Sequence, residues 1–335
     1  MVDRRQVIFG AVGLLALAPP LSFAAPGQKG HAPVRIANAI GSMNLSMAAL
    51  MTQEKFLESF DIAPDMMGVS DGSKILSSIV SGSVDLSTMS GFGQLFPAVE
   101  RGARLKVIAG AAMRPSLALF SSKPAIQGLK DLEGKTIGSG SYGALLHQLT
   151  VALLRKYGVD PARVRFVNIG SSTDVMRAVR AGVVDAGPGE AALIGQAPAF
   201  GIHLIEHGNM VTELSEFTYQ GAWTSDEAIA TKRDVLVRTL AAYAKLYRFV
   251  QTPEAKDAFI RARSSLFHKA PMEDHLSQWN FIQSYKPFAT DLMVSDARLN
   301  YMQELNRSFK IQSKILPPSE IGDMSLARDA LALLA

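Results

Sequence analysis

The chain has 335 residues, 48% of them hydrophobic, which is enough for two cores of ordinary size. Its formal net charge is only +4 and it contains no dense lysine and arginine run, which argues against nucleic acid as a partner. The absence of cysteine excludes disulfides and thiolate metal sites, so the packed core must supply the stability.

The first 24 residues have the pattern of an export signal. Arg4 and Arg5 precede an apolar run over residues 7–18, and small residues lead up to Ala25. The run is too short to cross a bilayer, which needs roughly 20 residues. We therefore predict a cleavable signal peptide over residues 1–24, by either the general or the twin-arginine route. With no cysteine to carry a lipid, the exported chain would diffuse freely, which predicts a periplasmic protein.

One segment of the chain recurs a hundred residues later. Six residues have counterparts in the second copy: Ser73, Ile75, Ile79, Gly82, Val84 and Asp85 are matched by Thr173, Val175, Val179, Gly182, Val184 and Asp185. The copies are too far apart to be stacked repeats, so each is expected to belong to its own lobe. Two similar lobes usually bind a ligand in the cleft between them.

Each copy continues a longer strand and helix pattern. Apolar runs at residues 64–69 and 164–169 precede the two copies, and shorter runs at residues 34–37 and 135–137 precede those. Strands that alternate with helices favour parallel sheets with right-handed crossovers. We predict an α/β protein of two lobes, each a parallel-rich sheet flanked by helices.

Small polar residues follow the predicted strands and open the predicted helices. The candidate ligand-binding residues in these loops are Ser42, Gly72, Ser73, Ser139, Ser141 and Ser171. Each of them could instead be an ordinary helix cap. Because parallel strands place their carboxyl ends at one edge of the sheet, the free N–H groups there suit an anionic or polar ligand.

Further candidates follow the third strand of each half or come from aromatic side chains. These are Ser90, Gly91, Phe92, Tyr142, Glu190 and Trp223. Glu190 could receive a ligand amine or hydroxyl, or be a surface carboxylate, and the aromatic residues could be cleft walls or core. Lys74, at a helix start, and Arg114 could face a ligand charge, but a solvated side chain is the more ordinary explanation of both.

The sequence gives little support for a dinucleotide site, a metal site or a catalytic site. Residues 138–143 form a G-x-G-x-x-G sequence, but Asn168 and Gly170 close the next strand where a dinucleotide site needs an acid. His203 and His207 lack an obvious third metal ligand. No nucleophile with its base can be recognised, so we expect no catalytic residue, no metal and no cofactor.

Several phrases together resemble a known family. They lie at residues 69–73, 81–85, 129–138, 157–161 and 181–186, and the stretch Leu129 to Gly138 is the most specific. The set resembles the periplasmic substrate-binding proteins of nitrate, sulfonate and taurine ABC importers, whose wider family includes binders of thiamine-precursor pyrimidines. Those pyrimidine binders have a cysteine-rich motif that this chain lacks, which disfavours that branch.

The resemblance implies a type II Venus-flytrap fold in which the chain crosses between the lobes twice. Residues 33–118 and 224–335 would form lobe 1 and residues 121–219 lobe 2, with hinges at 117–122 and 219–224. Later amphipathic stretches predict helices at residues 232–251, 272–285 and 295–311.

The resemblance also implies a function. We expect a monomer that captures a small anion, such as a sulfonate, a taurine-like compound, nitrate or an aromatic carboxylate, and delivers it to an ABC permease in the inner membrane. The alternatives are an exported enzyme or a sensor module on the same two-lobe fold.

Overall fold

The computed structural model describes residues 30–335, so the predicted signal peptide at residues 1–24 lies outside the described residues. The strands are, in chain order, β1 (Ala32–Ala39), β2 (Ile62–Val69), β3 (Leu86–Ser90), β4 (Leu105–Gly110), β5 (Leu117–Ser121), β6 (Thr136–Ser139), β7 (Arg165–Asn168), β8 (Ala186–Glu190), β9 (His203–Asn209) and β10 (Gly221–Ser225).

The helices pack on both faces of the sheets and form the C-terminal part of the chain. They are α1 (Ser42–Gln53), α2 (Gly72–Val80), α3 (Leu95–Glu100), α4 (Leu145–Lys156), α5 (Ser172–Arg180), α6 (Met210–Glu213), α7 (Asp226–Val250), α8 (Lys256–Leu266), α9 (Met272–Tyr285), α10 (Asp296–Ser308), α11 (Pro318–Ile321) and α12 (Ser325–Ala332). Within residues 30–335, none of them combines the length and the apolar character that a membrane crossing would need.

The strands form two sheets of five. The first sheet has the order β2-β1-β3-β10-β4 and the second has the order β7-β6-β8-β5-β9. β1 is parallel to β2 and β3, and β6 is parallel to β7 and β8, whereas β10 and β5 run antiparallel to their neighbours. The predicted α/β class with parallel-rich sheets is confirmed.

The chain passes between the sheets twice. β5 directly follows the first four strands but lies in the second sheet, and β10 follows the second sheet but lies in the first. The two passing segments pair with each other, because Ala111 N–H donates to Gln220 O (3.0 Å) and Gln220 N–H donates to Ala112 O (2.9 Å). The segment predicted as a hinge at 117–122 therefore coincides with β5, and the one at 219–224 leads into β10.

The sequence repeat has a structural cause that is the same in both sheets. Asp85 Oδ2 accepts the N–H of Arg35 (2.8 Å), and Asp185 Oδ2 accepts the N–H of Thr136 (2.8 Å). Each aspartate N–H also donates to the carbonyl of that same residue, at 2.9 and 2.8 Å. The repeated Asp, just before β3 or β8, therefore joins β3 to β1 in the first sheet and β8 to β6 in the second.

The repeated glycine ends the helix that precedes each of these aspartates. Gly82 has φ 71° and Gly182 has φ 68°, the left-handed region that favours glycine, directly after the last turns of α2 and α5. A Cβ added at either position would meet nothing within 4 Å. Backbone conformation, and not crowding, therefore selects glycine here.

We expect Gly182→Ala to lower the free energy of unfolding by about 1 kcal/mol, because alanine is strained at this φ. Chemical denaturation followed by circular dichroism measures the change. Gly195→Ala is the matched control, since its added Cβ also meets nothing within 4 Å and its φ is not positive. Equal stability of the two variants would contradict the assignment.

Candidate functional site

A small cavity lies between the two sheets. Its walls are the loops after β1, β2 and β3 on one side and after β6, β7 and β8 on the other. Ser116, Tyr219 and Gln220 of the passing segments complete the lining. The free interior measures ≈ 70 Å³, more than a single water molecule needs. The space suits a small solute.

Half of the sequence-predicted residues line this cavity: Gly72, Ser90, Gly91, Ser141, Ser171 and Glu190. Three others adjoin it. Ser42 hydrogen-bonds Glu190, and the Ser73 hydroxyl donates to Asp71 Oδ1 (2.6 Å). Ser139 is fully buried just before the lining residue Gly140, and its hydroxyl has no partner.

Phe92 and Trp223, predicted as candidate walls, are not among the residues that line this cavity. Phe92 is 1% exposed and packs edge-on against Phe96, with ring centroids 5.7 Å apart. Trp223 is 2% exposed, and its Nε1–H donates to Ser90 Oγ (3.0 Å). Both side chains point into the core of the first sheet because burying their large apolar surface there is more favourable than leaving it in a small polar cavity.

Tyr142 does not line the cavity either. Its side chain lies at the outer rim and is 65% exposed. The ring contacts His147, with centroids 4.5 Å apart, and the hydroxyl donates to Phe309 O (3.2 Å). Tyr142 therefore joins the second sheet's loop to the C-terminal region instead of contacting a ligand.

The aromatic residue that does line the cavity is Tyr219, which the sequence indicated only as the start of a hinge. It is 7% exposed, and burial together with the charge of Glu190 raises the pKa of its hydroxyl, against a hydrogen bond with Ser116. The crossing segments form the floor of the cavity because the chain must pass between the sheets there. The sequence signal that could have identified Tyr219 as a lining residue was the presence of polar residues in a predicted crossing segment.

Hydrogen bonds across the cavity hold the two sheets together. The Ser141 hydroxyl donates to Asp71 Oδ2, and Gln94 Nε2–H donates to Tyr142 O (3.1 Å). Burial raises the pKa of Asp71, but hydrogen bonds from Ser141 and Ser73 outweigh it and leave the pKa below its ordinary value. Asp71 is therefore ionised at neutral pH and forms a bridge in this closed arrangement.

The chain's own side chains cap two of the helix starts at the cavity. At α2, Asp71 Oδ1 accepts the N–H of Ser73 (2.8 Å). At α5, Ser171 Oγ accepts the N–H of Asp174 (3.2 Å), and Asp174 Oδ2 accepts the N–H of Ser171 (3.3 Å). The predicted anion-binding N–H groups are thus partly used by carboxylates of the protein.

Glu190 occupies the third helix start, where α1 has no side-chain cap of its own. Its Oε2 is a buried atom without a hydrogen-bond partner, and Ser172 Oγ lies 3.5 Å from Oε1. Burial raises the pKa of Glu190 to about 7, although the charge of Arg263 and hydrogen bonds from Ser42 and Ser172 favour the ionised form. Burial thus makes this carboxyl group harder to ionise than an exposed glutamate.

The basic and histidine residues considered from the sequence lie away from the cavity. Lys74 and Arg114 are exposed and are not among its lining residues. His203 hydrogen-bonds Ile126 O (2.7 Å). Within residues 30–335 no cluster of three or more histidine and acidic side chains has the arrangement of a metal site.

One family model matches more than half of the chain. The family model described as NMT1/THI5 like matches residues 58–255. No curated protein has a significantly matching sequence.

Solved structures give the fold. The alkanesulfonate-binding protein SsuA from Xanthomonas axonopodis pv. citri is 18% identical, with a TM-score of 0.71 over 87% of this chain and 98% of that one. The periplasmic nitrate-binding protein NrtA from Synechocystis PCC 6803 is 9% identical, with a TM-score of 0.71 over 91% and 89%. The desulfurization enzyme DszB shares the fold as well, at 12% identity and a TM-score of 0.62 over 90% and 99%. The two-lobe periplasmic binding protein fold is confirmed.

Proposed function

Because the chain belongs to the NMT1/THI5-like family, we propose that it is the solute-binding component of an ABC importer. It would be exported to the periplasm, capture a small molecule between its lobes and present the closed form to an inner-membrane permease. The observation that carries the proposal is the small cavity at the strand ends, closed by hydrogen bonds from both sheets. Structures of binding proteins for alkanesulfonate and nitrate share this fold.

The mechanism follows from the two-lobe geometry. Residues 33–118 with 224–335 would move as one lobe and residues 121–219 as the other, about the predicted hinges. A ligand that contacts both sets of strand-end loops makes the closed form more favourable, because it interacts with both lobes only there. The Asp71–Ser141 hydrogen bond would form at closure and add to this preference.

A thermal-shift screen tests the function. Its panel contains small anions, amines and aromatic compounds, with sulfonates, taurine, nitrate and aromatic carboxylates representing the predicted anions. A ligand at a hundred times its Kd should stabilise the fold by about 2.7 kcal/mol. Mass spectrometry then shows whether the compound stays intact. Consumption of the compound would support the enzyme alternative, and no shift with any compound would argue for a sensor that binds a protein.

We expect Gly91→Ala to weaken ligand binding about 10-fold or more. An added Cβ at Gly91 would lie 2.7 Å from Leu145 Cβ, across the cavity at the start of α4, so the cleft could not close fully. Isothermal titration calorimetry with a ligand from the screen measures the change.

Gly72→Ala is the matched control for the same cavity. Its added Cβ would lie 3.6 Å from Gln94 Oε1 and 3.9 Å from Ala144 Cβ, which are ordinary contacts. We expect its affinity to stay near that of the wild type. If Gly91→Ala bound as tightly as this control, closure of the cleft would not be part of binding.

A further inference from the structure

The ionisable side chains that line the cavity are all acidic. Among the described lining residues they are Asp71, Glu190 and Tyr219, with no lysine, arginine or histidine beside them. Helix starts alone would favour an anion, but carboxylates of the chain already occupy the starts of α1 and α2. An anionic ligand would therefore be held next to negative charge.

The two carboxyl groups differ in whether an oxygen atom is still available to accept a hydrogen bond. Asp71 is already engaged, since Oδ1 accepts from Ser73 and Oδ2 from Ser141. Glu190 keeps one buried oxygen, Oε2, without a partner. A buried acceptor that stays unpaired is costly, so a donor from the ligand is the group that this position lacks.

The positive charge near Glu190, that of Arg263, does not supply the hydrogen bond that Oε2 lacks. Arg263 of α8 is buried, and its Nη1–H donates to Ser46 Oγ (3.1 Å), without lining the cavity. Its charge acts on Glu190 from behind the wall. Asp274 and His275 of α9 adjoin Arg263 on that far side.

The rest of the wall restricts the body of the ligand. Met43, Ala144, Leu145 and Leu146 supply an apolar part of the lining. The interior of ≈ 70 Å³ favours a small ligand. An aliphatic chain of about three carbons with one polar head fits such a space.

We propose that the cavity binds a small solute through a protonated nitrogen that donates to Glu190 Oε2, with a short apolar body against Leu145 and Leu146. This inference rests on the proposed function and replaces the predicted anion by a cationic head. An ammonium N–H to a buried carboxylate is a charge-assisted hydrogen bond, which is stronger than a neutral one.

The test compares two probes that share one body. Propylammonium and propanesulfonate carry the same three-carbon chain, and their affinities are measured by calorimetry at pH 8. We expect propylammonium to bind and to raise the melting temperature, and propanesulfonate to bind at least 10-fold more weakly. In Glu190→Gln the affinity for propylammonium should fall at least 10-fold, whereas Glu206→Gln, which alters a carboxyl group that is 75% exposed and outside the lining, should retain it.

A pH titration of the wild type keeps the test valid if Glu190→Gln does not fold. Propylammonium stays protonated between pH 6 and 8, whereas Glu190 takes up a proton as the pH falls through about 7. The affinity of the wild type for propylammonium should therefore fall severalfold from pH 8 to pH 6. Burial and the charge of Arg263 lower the pKa of His275, the histidine behind this wall.

Three results would overturn the inference: tighter binding of propanesulfonate, no binding of propylammonium, or an affinity for propylammonium that is independent of both pH and Glu190. None of these would by itself refute the proposed function. That proposal fails only if no compound of the wider panel stabilises the protein.

Discussion

Glu190→Gln is expected to raise the free energy of unfolding of the unliganded protein by about 3 kcal/mol at pH 8. Burial disfavours the ionised carboxyl and raises its pKa from the ordinary 4.5 to about 7, so at pH 8 the folded protein holds a charge that the unfolded chain solvates better. Glutamine has nearly the same shape and carries no charge. Urea denaturation at several pH values measures the difference.

The sign of the pH dependence is specific. A folded-state pKa above the unfolded value gives a stability contribution that is complete below about 4.5 and is lost as the pH rises to about 7. The advantage of Glu190→Gln should therefore be absent at pH 4, grow between 4.5 and 7, and stay constant above. Glu206→Gln is the control, because that side chain is 75% exposed, and it should change nothing. A variant less stable than the wild type at pH 8 would show that ionised Glu190 is stabilising.

Asp85→Ala is expected to lower the free energy of unfolding by about 3 kcal/mol. The Asp85 side chain is 5% exposed and accepts hydrogen bonds from the N–H of Arg35, from Arg35 Nη2 (2.7 Å) and from Lys232 Nζ (2.8 Å). Alanine leaves the backbone N–H of Arg35 without its partner and removes the ionic contacts between β1, β3 and α7. Denaturant unfolding at pH 7 measures the loss.

Asp185→Ala is the matched control in the second sheet. Asp185 accepts the N–H of Thr136 in the same geometry, but it is 28% exposed and its one ion pair, with Lys123, spans 3.8 Å. We expect a loss of about 1 kcal/mol, mainly from that backbone hydrogen bond. Equal losses in the two variants would mean that the ionic contacts of Asp85 contribute nothing.

Acid should remove the effect of Asp85. Burial raises its pKa, but hydrogen bonds from Arg35 and Lys232 outweigh burial and leave the pKa below the ordinary value of 3.8. The stabilisation is present above about 4, the unfolded value, and is lost as the pH falls through the lower folded value. The wild type and Asp85→Ala should therefore converge in stability below pH 4.

The alternation of strands and helices could be predicted because it depends on local patterns. The helix predicted at residues 272–285 is α9 with the same ends, and the one predicted from residue 232 begins at a kink, since Lys232 interrupts α7 with φ −133°. Both depend on apolar spacing within one element. The repeat of Asp85 and Asp185 was likewise visible, although its cause, a hydrogen bond to the neighbouring strand, needed the paired sheet.

The aromatic walls could not be predicted because they depend on which face of the sheet each side chain takes. Trp223 lies on the inner strand β10, and its side chain is on the face that packs into the core. Tyr219, four residues earlier, instead lines the cavity. A crossing segment has no regular period, so its sequence does not show which side chain faces inward.

The sequence by itself determined the class of the fold, the duplicated halves and the strand-end loops that form the cavity, because these follow from periodicity and turn residues within short segments. Only the tertiary structure decided the charge of the cavity. The sign depends on bringing Asp71 of one sheet and Glu190 of the other to the same small space, with Arg263 kept behind the wall. The strength of an electrostatic interaction depends on distance and burial. For residues so far apart in the chain, the sequence positions fix neither.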